Sequence, residues 1–347
     1  MRHAHGLMVA TLTAVALAMA TPAFADALLT GTIKSPDGKA MGGVTVSAKP
    51  NGGTITTSVF TDESGQYYFP ALAAGHYKIW AQALSYQTAK GEVDLAANHS
   101  EDFTLQPMND AEATFKQLPG NLMLDALPAR TPEEQRMKRI VRNVCTGCHT
   151  PSFPLQHRFD EAGWSAALEL MKNANVYGTF VGGERQPSGI IDVHQKELAG
   201  YLAGARGPGA SDMDVKLEPR PSGEAARVMF KEYDLPLDPD SHLPADFIQN
   251  DGSDWSLGTP SVLIPGWGVH DSWLDLTGNL WFTCNIPNKQ MTIGHIDTAS
   301  GAVKLFKVAG PGGFAAQAHG MTRDPHGIIW FNVNNGRGGL GRLDPST

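Results

Sequence analysis

The chain has 347 residues and a formal net charge of −8, and this acidic balance argues against a nucleic-acid-binding protein, which needs a basic face. The content of 38 glycines and 23 prolines indicates a turn-rich, mostly β chain, and the length suggests two or three domains. Because there are only three cysteines and two of them share one motif, a disulfide framework is excluded.

Residues 1–25 predict a secretory signal. Arg2 supplies the positive start, the stretch from Leu7 to Ala20 is almost entirely apolar, and Ala23-Phe24-Ala25 has the form of a cleavage site. The apolar core is too short to span a membrane, and no later run is apolar enough. We therefore expect an exported protein with no membrane span, in the periplasm of a Gram-negative bacterium.

Residues 26–107 predict a β-sandwich. About seven short stretches with alternating apolar residues lie between Leu28 and Leu105, separated by turn sequences such as Ser35-Pro36-Asp37-Gly38. Turns that recur about every 8 to 12 residues are typical of this architecture. In Tyr67-Tyr68-Phe69 the alternation predicts that Tyr67 and Phe69 face the core and that Tyr68 points outward.

The same region, residues 28–106, contains GTIKSPDGKAMGGVTVSA and TDESGQYYFPALAAGHYKIWA. It resembles the carboxypeptidase regulatory-like domain, which shares its fold with starch-binding-type modules. The resemblance implies a small sandwich of adhesive or structural use. The domain contains five clustered aromatic residues, for which two interpretations stay open: Tyr67, Tyr68, Phe69, Tyr77 and Trp80. Either alternate members of this cluster fill the core of the sandwich, or the cluster stacks on a sugar ring and binds a glycan.

A predicted linker and then a helical domain follow the sandwich. Residues 108–130 contain several prolines and no apolar periodicity, which is typical of a linker. Residues 131–207 open with Thr131-Pro132-Glu133-Glu134, which combines an N-cap, a proline at the first helical position and a capping box. Further helices are predicted to start at Asp160 and Asp192.

Cys145-Thr146-Gly147-Cys148-His149 follows the first of these helices and has the Cys-x-x-Cys-His form of a c-type haem attachment site. The two thiols at this spacing add to the vinyl groups of the porphyrin, and His149 then binds the iron. A zinc site needs more ligands than the distant Cys284 supplies, and a redox dithiol needs no following histidine. We therefore expect one covalent haem c on Cys145, Cys148 and His149.

The sixth iron ligand is predicted from the methionines and histidines of this region. Met171 is the first candidate, because thioether ligation raises the reduction potential and so suits an electron acceptor. The alternative is that Met171 packs in the core beside Trp164 and Leu168. His194 is the second candidate, and His157 is too close in sequence to the haem motif to reach the opposite face.

The string RFDEAGWSAALELM, followed later by ELAGYLAGARGPG, resembles the short cytochrome c domains that accompany periplasmic oxidoreductases. The order of helix, haem motif, helix and packing helix is that of a small class I-like cytochrome c. This resemblance implies electron transfer, with the iron of the haem as the redox metal and a redox partner protein in the periplasm.

The last region, residues 225–347, follows a second predicted linker at 208–224 and contains a repeat. It begins with a predicted strand from Ala225 to Leu235. HDSWLDLTGNLWFT and HGMTRDPHGIIWFN begin at His270 and His319, 49 residues apart. A strand, a D-x-x-G turn and a Trp-Phe strand at this period are typical of a β-propeller blade.

These motifs resemble the virginiamycin B lyase family of propellers, in which a histidine base acts near a bound magnesium. His270 and His319 occupy the recurring histidine position, so either is a candidate base, and the alternative is a blade residue that bonds to the backbone. Asp271 and Asp324 are the nearest carboxylates, and Asp324 fits a turn better than a metal site. Cys284 is expected to be buried and inert.

Taken together, the chain is predicted to be multidomain: a β-sandwich, then a small all-α cytochrome c domain, then an incomplete β-propeller. About two and a half repeats follow Ala225, whereas a closed ring needs roughly four to eight blades. We therefore expect a fragment of a longer protein with an open arc of strands. Four aromatic side chains should then be incompletely covered: Trp281, Phe282, Trp330 and Phe331.

Electron transfer by the haem is the function that these patterns favour. Two alternatives remain. In the first, the propeller is an enzyme that acts on a small-molecule substrate and passes electrons to the haem, although lyase chemistry itself needs no electron acceptor. In the second, the sandwich binds a glycan or an envelope component and tethers the redox domain.

Overall fold

The computed structural model describes residues 26–147, 150–172, 189–209, 211–236, 254–255, 268–286, 288–334 and 338–346. In chain order, these residues form an N-terminal group of strands, a group of helices and a second group of strands. In this part of the chain, no helix has the length and apolarity needed to cross a bilayer.

Eight strands build the N-terminal β-sandwich. They are β1 (Leu29–Lys34), β2 (Thr45–Pro50), β3 (Ile55–Phe60), β4 (Gln66–Tyr68), β5 (Gly75–Gln82), β6 (Ala89–Leu95), β7 (His99–Ser100) and β8 (Phe103–Thr104). One sheet has the order β4-β1-β7, with β8 also paired to β1, and the other contains β6-β5-β2-β3. The predicted alternation is confirmed, because Tyr67 and Phe69 are buried and Tyr68 is 58% exposed.

Six helices follow. They are α1 (Ala111–Lys116), α2 (Gly120–Asp125), α3 (Pro132–Val144), α4 (Ser152–Leu155), α5 (Glu161–Lys172) and α6 (Gly189–Arg206). The capping box of α3 is present as predicted: the Glu134 amide donates to the Thr131 hydroxyl (3.1 Å) and the Glu134 carboxylate accepts from the Thr131 amide (3.2 Å). Helix α6 begins at Gly189, three residues before the predicted start at Asp192.

The structure differs from the sequence prediction at residues 108–130, which are not an extended linker but contain α1 and α2. Phe115 of α1 and Met123 of α2 are buried in the same core as the apolar faces of α3, α5 and α6. Each of the two helices has only six residues, which is too short to show an apolar period. The cap of α1 was a visible signal, since the Asp110 side chain accepts hydrogen bonds from the amides of Glu112 and Ala113.

A second difference concerns the predicted strand from Ala225 to Leu235. The structure has a 3-10 helix at Gly223–Arg227 and then β9 (Phe230–Tyr233), which pairs antiparallel with β3. The sandwich sheet therefore has the order β6-β5-β2-β3-β9. The chain thus returns to the sandwich after the helices and covers an edge whose backbone groups would otherwise lack partners.

Two further antiparallel sheets are formed by consecutive strands. The first contains β10 (Val269–Leu274), β11 (Leu280–Cys284), β12 (Ile293–Ile296) and β13 (Val303–Phe306), and the second contains β14 (Ala318–Arg323), β15 (Ile329–Val333) and β16 (Gly339–Leu343). Each first strand carries a register irregularity at the same point, between Val269 and Ser272 in β10 and between Ala318 and Met321 in β14. The described sheets form neither a closed barrel nor a complete ring.

These two sheets, called here the first and second repeat sheets, share one core. Trp281 and Ile293 of the first sheet pack with Ile329 and Phe331 of the second. On its other face the first sheet packs Phe282 against a cluster that includes Tyr233 of β9. Trp281, Phe282 and Phe331 are therefore buried, contrary to the expectation that they would be incompletely covered, and Trp330 alone of the four is half-buried.

Candidate functional site

Cys145, the first residue of the predicted haem motif, lies at the C-terminal end of α3. Its backbone N–H donates to the Val141 carbonyl, and a 3-10 turn at Cys145–Gly147 follows directly. The Thr146 hydroxyl donates to the Arg142 carbonyl and holds this turn to the helix. The side chain of Cys145 is half-buried and packs against the helical core. Cys148 and His149 lie outside the described residues.

The apolar face of α3 positions this cysteine. Met137, Ile140 and Val141 are buried in the core that α3 forms with α5 and α6. Because that face is fixed along the helix, Cys145 is held at the edge of the core.

Trp164 of α5 supplies an unusual polar group in the same core. The side chain is buried, and its Nε1–H has no hydrogen-bond partner in the described part of the chain. An unpaired buried donor carries a free-energy cost of about 1–3 kcal/mol. Nε1 of Trp80 and Nε1 of Trp255 are likewise buried without a partner among the described residues, so the feature is not confined to the helical core. No pattern in the sequence signals this feature, because the missing partner is a property of the packed structure.

Met171 lies at the C-terminal end of α5. Leu168 and Trp164, one and two turns earlier, are core residues, whereas Met171 is half-buried. The neighbouring Lys172 bonds through Nζ to Glu169 (2.7 Å) and to Asp192 of α6 (3.1 Å), which fixes this end of α5 against α6.

His194, the second candidate ligand, and His157, which the sequence excluded, both have other contacts. Nδ1 of His194 lies 2.6 Å from a carboxylate oxygen of Glu197, one turn later on α6. The ring of His157 stacks on Phe159, with 5.3 Å between ring centroids and an interplanar angle of 10°, and meets the edge of Phe153. Both rings are thus held by neighbours in their own segment.

In the repeat sheets, the two predicted turn aspartates make the same bonds. Oδ2 of Asp275 accepts from Nε1 of Trp281 at 3.0 Å, and Oδ2 of Asp324 accepts from Nε1 of Trp330 at 3.0 Å. In each turn Oδ1 of the aspartate accepts two backbone N–H groups, from residues two and four positions later. Asp324 is therefore a turn residue.

Two glycines lie directly under the aromatic rings of the repeats. A Cβ atom on Gly294 would lie 2.0 Å from the ring of Phe282, and one on Gly341 would lie 2.1 Å from the ring of Phe331. Only glycine allows this close approach of a neighbouring strand. The two copies of the sequence repeat therefore share the same contact between a glycine and a phenylalanine ring.

His270 and His319 lie together where β10 meets β14. Their ring centroids are 3.4 Å apart, and Nδ1 of His270 lies 3.2 Å from the His319 carbonyl, which also accepts from the Thr283 hydroxyl at 2.7 Å. Burial and the neighbouring His270 lower the pKa of His319. Oδ2 of Asp271 accepts from the Met321 amide at 2.8 Å. For His270, whose ring is exposed but bonds to the His319 carbonyl, this arrangement matches the backbone-bonding alternative.

No group of three histidine, cysteine or acidic side chains suited to a metal ion occurs among the described residues. Cys284 is fully buried, and its Sγ accepts from Nδ2 of Asn288 at 3.2 Å. A buried thiol in such surroundings is a structural group, as expected.

A comparison with protein-family models gives one match, to the carboxypeptidase regulatory-like domain over residues 29–107. Residues 29–107 form a carboxypeptidase regulatory-like domain. The match agrees with the β-sandwich and with the sequence resemblance. A search of curated proteins found no match for the chain.

Several solved structures are similar to part of the chain. The TIE protein of Bacillus anthracis is 13% identical, with a TM-score of 0.21, over 24% of this chain and 17% of its own. Catechol 1,2-dioxygenase from Pseudomonas arvilla C-1 is 13% identical, with a TM-score of 0.21, over 27% of this chain and 56% of its own. A putative carbohydrate binding protein from Pseudomonas aeruginosa is 14% identical, with a TM-score of 0.20, over 25% of this chain and 92% of its own.

This chain spans only a minor part of the Bacillus protein and about half of the dioxygenase.

Proposed function

We propose that the protein is an exported electron-transfer protein that carries one haem c, attached through Cys145 and Cys148, with His149 and Met171 as iron ligands. The observation that carries this proposal is the position of the Cys-x-x-Cys-His sequence, which begins at the end of the capped amphipathic helix α3. Cys145 is half-buried and packs at the edge of an all-helical core. The haem supplies one-electron chemistry when bound.

The unpartnered Trp164 supports the same proposal. Its buried Nε1–H requires an acceptor, and the described residues provide none. A propionate of a bound porphyrin is an acceptor of the right kind, since a carboxylate accepts strong hydrogen bonds from N–H groups. The residues of the helical core therefore fit the group that the haem motif requires.

Met171 as the sixth ligand is supported by its half-buried position at the end of α5, beyond the buried Trp164 and Leu168. The ion pairs of Lys172 fix the backbone next to it. His194 and His157 are engaged with Glu197 and with Phe159, respectively, which disfavours them as ligands.

For residues 268–346, we propose two neighbouring blades of a β-propeller that presents a surface to a redox partner or a small-molecule substrate. Support comes from the identical aspartate–tryptophan bonds and glycine–phenylalanine contacts of the two sheets. The His270 ring bonds to the His319 carbonyl and lies against the His319 ring, a contact that does not favour the lyase-like or dehydrogenase alternative.

The proposed function is tested by reduced-minus-oxidised spectra and redox titration of the protein made in cells competent in cytochrome c maturation. We expect a low-spin haem spectrum, and we expect Met171→Ala to change that spectrum and lower the potential. His194→Ala is the matched control and should leave both unchanged. A spectrum that is altered by His194→Ala but not by Met171→Ala would remove Met171 from the iron site.

A further inference from the structure

A cavity of about 420 Å³ lies between the sandwich and the chain segment that returns to it. One wall is the turn from Asp62 to Gln66 together with Tyr68 of β4. The other wall is the 3-10 helix at Gly223–Arg227 and the residues that lead into β9. The volume is within the range of small-molecule sites, which is roughly 300–1,000 Å³.

Several independent contacts fix the two walls relative to each other. The Gly223 amide donates to a carboxylate oxygen of Glu63 at 2.9 Å. Strand β9 continues the second wall and pairs with β3 over four residue pairs. The backbone at Pro221 lies so close to Gly43 that a Cβ there would be 2.4 Å from the Pro221 carbonyl oxygen. The cavity is therefore part of the fold and needs both the sandwich and residues 220–233.

An open aromatic face forms part of the first wall. Tyr68 is 58% exposed, and its hydroxyl donates to the side-chain oxygen of Gln66, which restricts the rotation of the ring. The negative face of an aromatic ring attracts the polarised C–H groups of a ligand that lies flat against it. Met229 and Phe60 add apolar surface to the same cavity.

Polar groups line the rest of the cavity. Oδ1 of Asp62 accepts three hydrogen bonds that order the turn, from the amide and hydroxyl of Ser64 and the amide of Gln66, while Oδ2 has no partner in the described part of the chain. The Ser64 hydroxyl lowers the pKa of Asp62, and the Gly223 amide lowers the pKa of Glu63. Both carboxylates are therefore ionised at neutral pH, beside the single guanidinium of Arg227.

This set of groups selects the chemistry of the ligand. Two carboxylates against one guanidinium disfavour an anion such as a phosphate. Carboxylate oxygens accept from hydroxyl groups, and a guanidinium donates to them. A ligand with many hydroxyl groups and a flat C–H face satisfies both the polar wall and the ring of Tyr68.

We propose that this cavity binds an uncharged saccharide, with one pyranose ring stacked on Tyr68 and its hydroxyl groups bonded to Asp62 and Arg227. The proposal is independent of the haem proposal. It assigns ligand binding to the junction of the sandwich with the returning segment, a place that the sequence of the sandwich alone does not define. The protein would thus attach to a polysaccharide through the domain that precedes its helical region.

The test is a titration of the full-length mature protein with maltotriose, cellotriose and triacetylchitotriose, followed by calorimetry and by ligand-observed NMR. We expect saturable binding of at least one of these probes, and an affinity about tenfold lower for Tyr68→Ala, which loses the stacking surface. Tyr68→Phe keeps the ring and should stay within about threefold of the parent protein. Trp273→Ala, which removes an exposed aromatic ring on β10, is the matched control and should not change the affinity.

Three outcomes would overturn the proposal. The first is no saturable binding of any of the three trisaccharides. The second is equal binding by Tyr68→Ala and the parent protein. The third is that an ion competes with the sugar for the cavity and binds equally well to Tyr68→Ala. That ion would be inorganic phosphate, with binding abolished by Arg227→Ala, or lysine, with binding abolished by Asp62→Ala. Either result would show that the cavity is an ionic site.

Discussion

The two repeat sheets contain the same bonds but bury their tryptophans to different extents. Trp281 and Trp330 both donate to the aspartate of their turn at 3.0 Å. Trp281 is nevertheless buried, with 6% of its surface exposed, whereas Trp330 is half-buried.

The difference comes from neighbouring strands. The ring of Trp281 stacks on Phe306 of β13, with 5.4 Å between centroids, and contacts His295 of β12 at 4.5 Å. The position next to β16 that would correspond to β13 is not occupied by a strand in the described residues. The aspartate–tryptophan bond is therefore a local property of the repeat. The burial of Trp281 depends on its neighbours, which are β12 and β13 of its own sheet and the core shared with the second repeat sheet.

The largest expected effect is that of removing a ring packed on a glycine. Phe282→Ala and Phe331→Ala should each destabilise the repeat region by about 3–5 kcal/mol, because both rings are buried against the close-approach glycines. Urea unfolding followed by tryptophan fluorescence measures the effect. Leu340→Ala, at an exposed position on β16, is the control and should cost less than about 0.5 kcal/mol. A large difference between the two phenylalanine variants would contradict the equivalence of the repeats.

Replacement of the turn aspartates should destabilise the two repeats to different extents. Asp275→Ala leaves the buried Nε1–H of Trp281 without an acceptor, so we expect a loss of about 2–3 kcal/mol. Asp324→Ala should cost less, about 1 kcal/mol, because the half-buried Trp330 can bond to water. Equal losses in the same urea experiment would show that burial does not set the strength of this bond.

Phe306→Ala should make the first repeat resemble the second. Because Phe306 covers Trp281, its loss should increase the access of acrylamide to Trp281 and shift the emission to longer wavelength, with a stability loss of about 1 kcal/mol. Phe314→Ala, another exposed aromatic ring in the same region, is the control. If quenching of Trp281 is unchanged, the fourth strand does not account for the difference in burial.

The smallest effect is a dependence of stability on pH. Burial lowers the pKa of His295, and burial together with His270 lowers that of His319, from the ordinary value of 6.5. The folded repeat region therefore binds fewer protons than the unfolded chain at pH values just below 6.5, so its stability is complete above that pH and falls as the pH decreases. Urea midpoints from pH 8 to pH 5 should show this decrease, and His295→Gln should reduce it. An increase in stability toward pH 5 would contradict the lowered pKa values of His295 and His319.

Local signals predicted local structure well. The alternation that places Tyr67 inside and Tyr68 outside, the capping box at Thr131 and the repeat of Asp275 and Asp324 all appear in the structure as expected. Each of these features depends on residues only a few positions apart, or on a pattern that occurs twice in the sequence.

The features that the sequence did not predict depend on distant partners. The segment that includes Phe230 has the pattern of a strand, but nothing in that pattern specifies that it pairs with β3 of the sandwich. The cavity between Tyr68 and the 3-10 helix at Gly223–Arg227 depends on this pairing, so the sequence did not predict it either. Trp164 was predicted as a core residue, but its missing hydrogen-bond partner could be found only after the helices were packed.

The most direct test of the central claim is the mass of the intact mature protein, with a haem stain after denaturation, when it is made in cells competent in cytochrome c maturation. We expect one covalent haem per chain that survives denaturation. Cys284→Ala should retain it, whereas Cys145→Ala and Cys148→Ala should each keep at most one thioether bond, and the double variant should carry none. A colourless protein with the mass of the polypeptide alone would contradict the assignment of this chain as a c-type cytochrome.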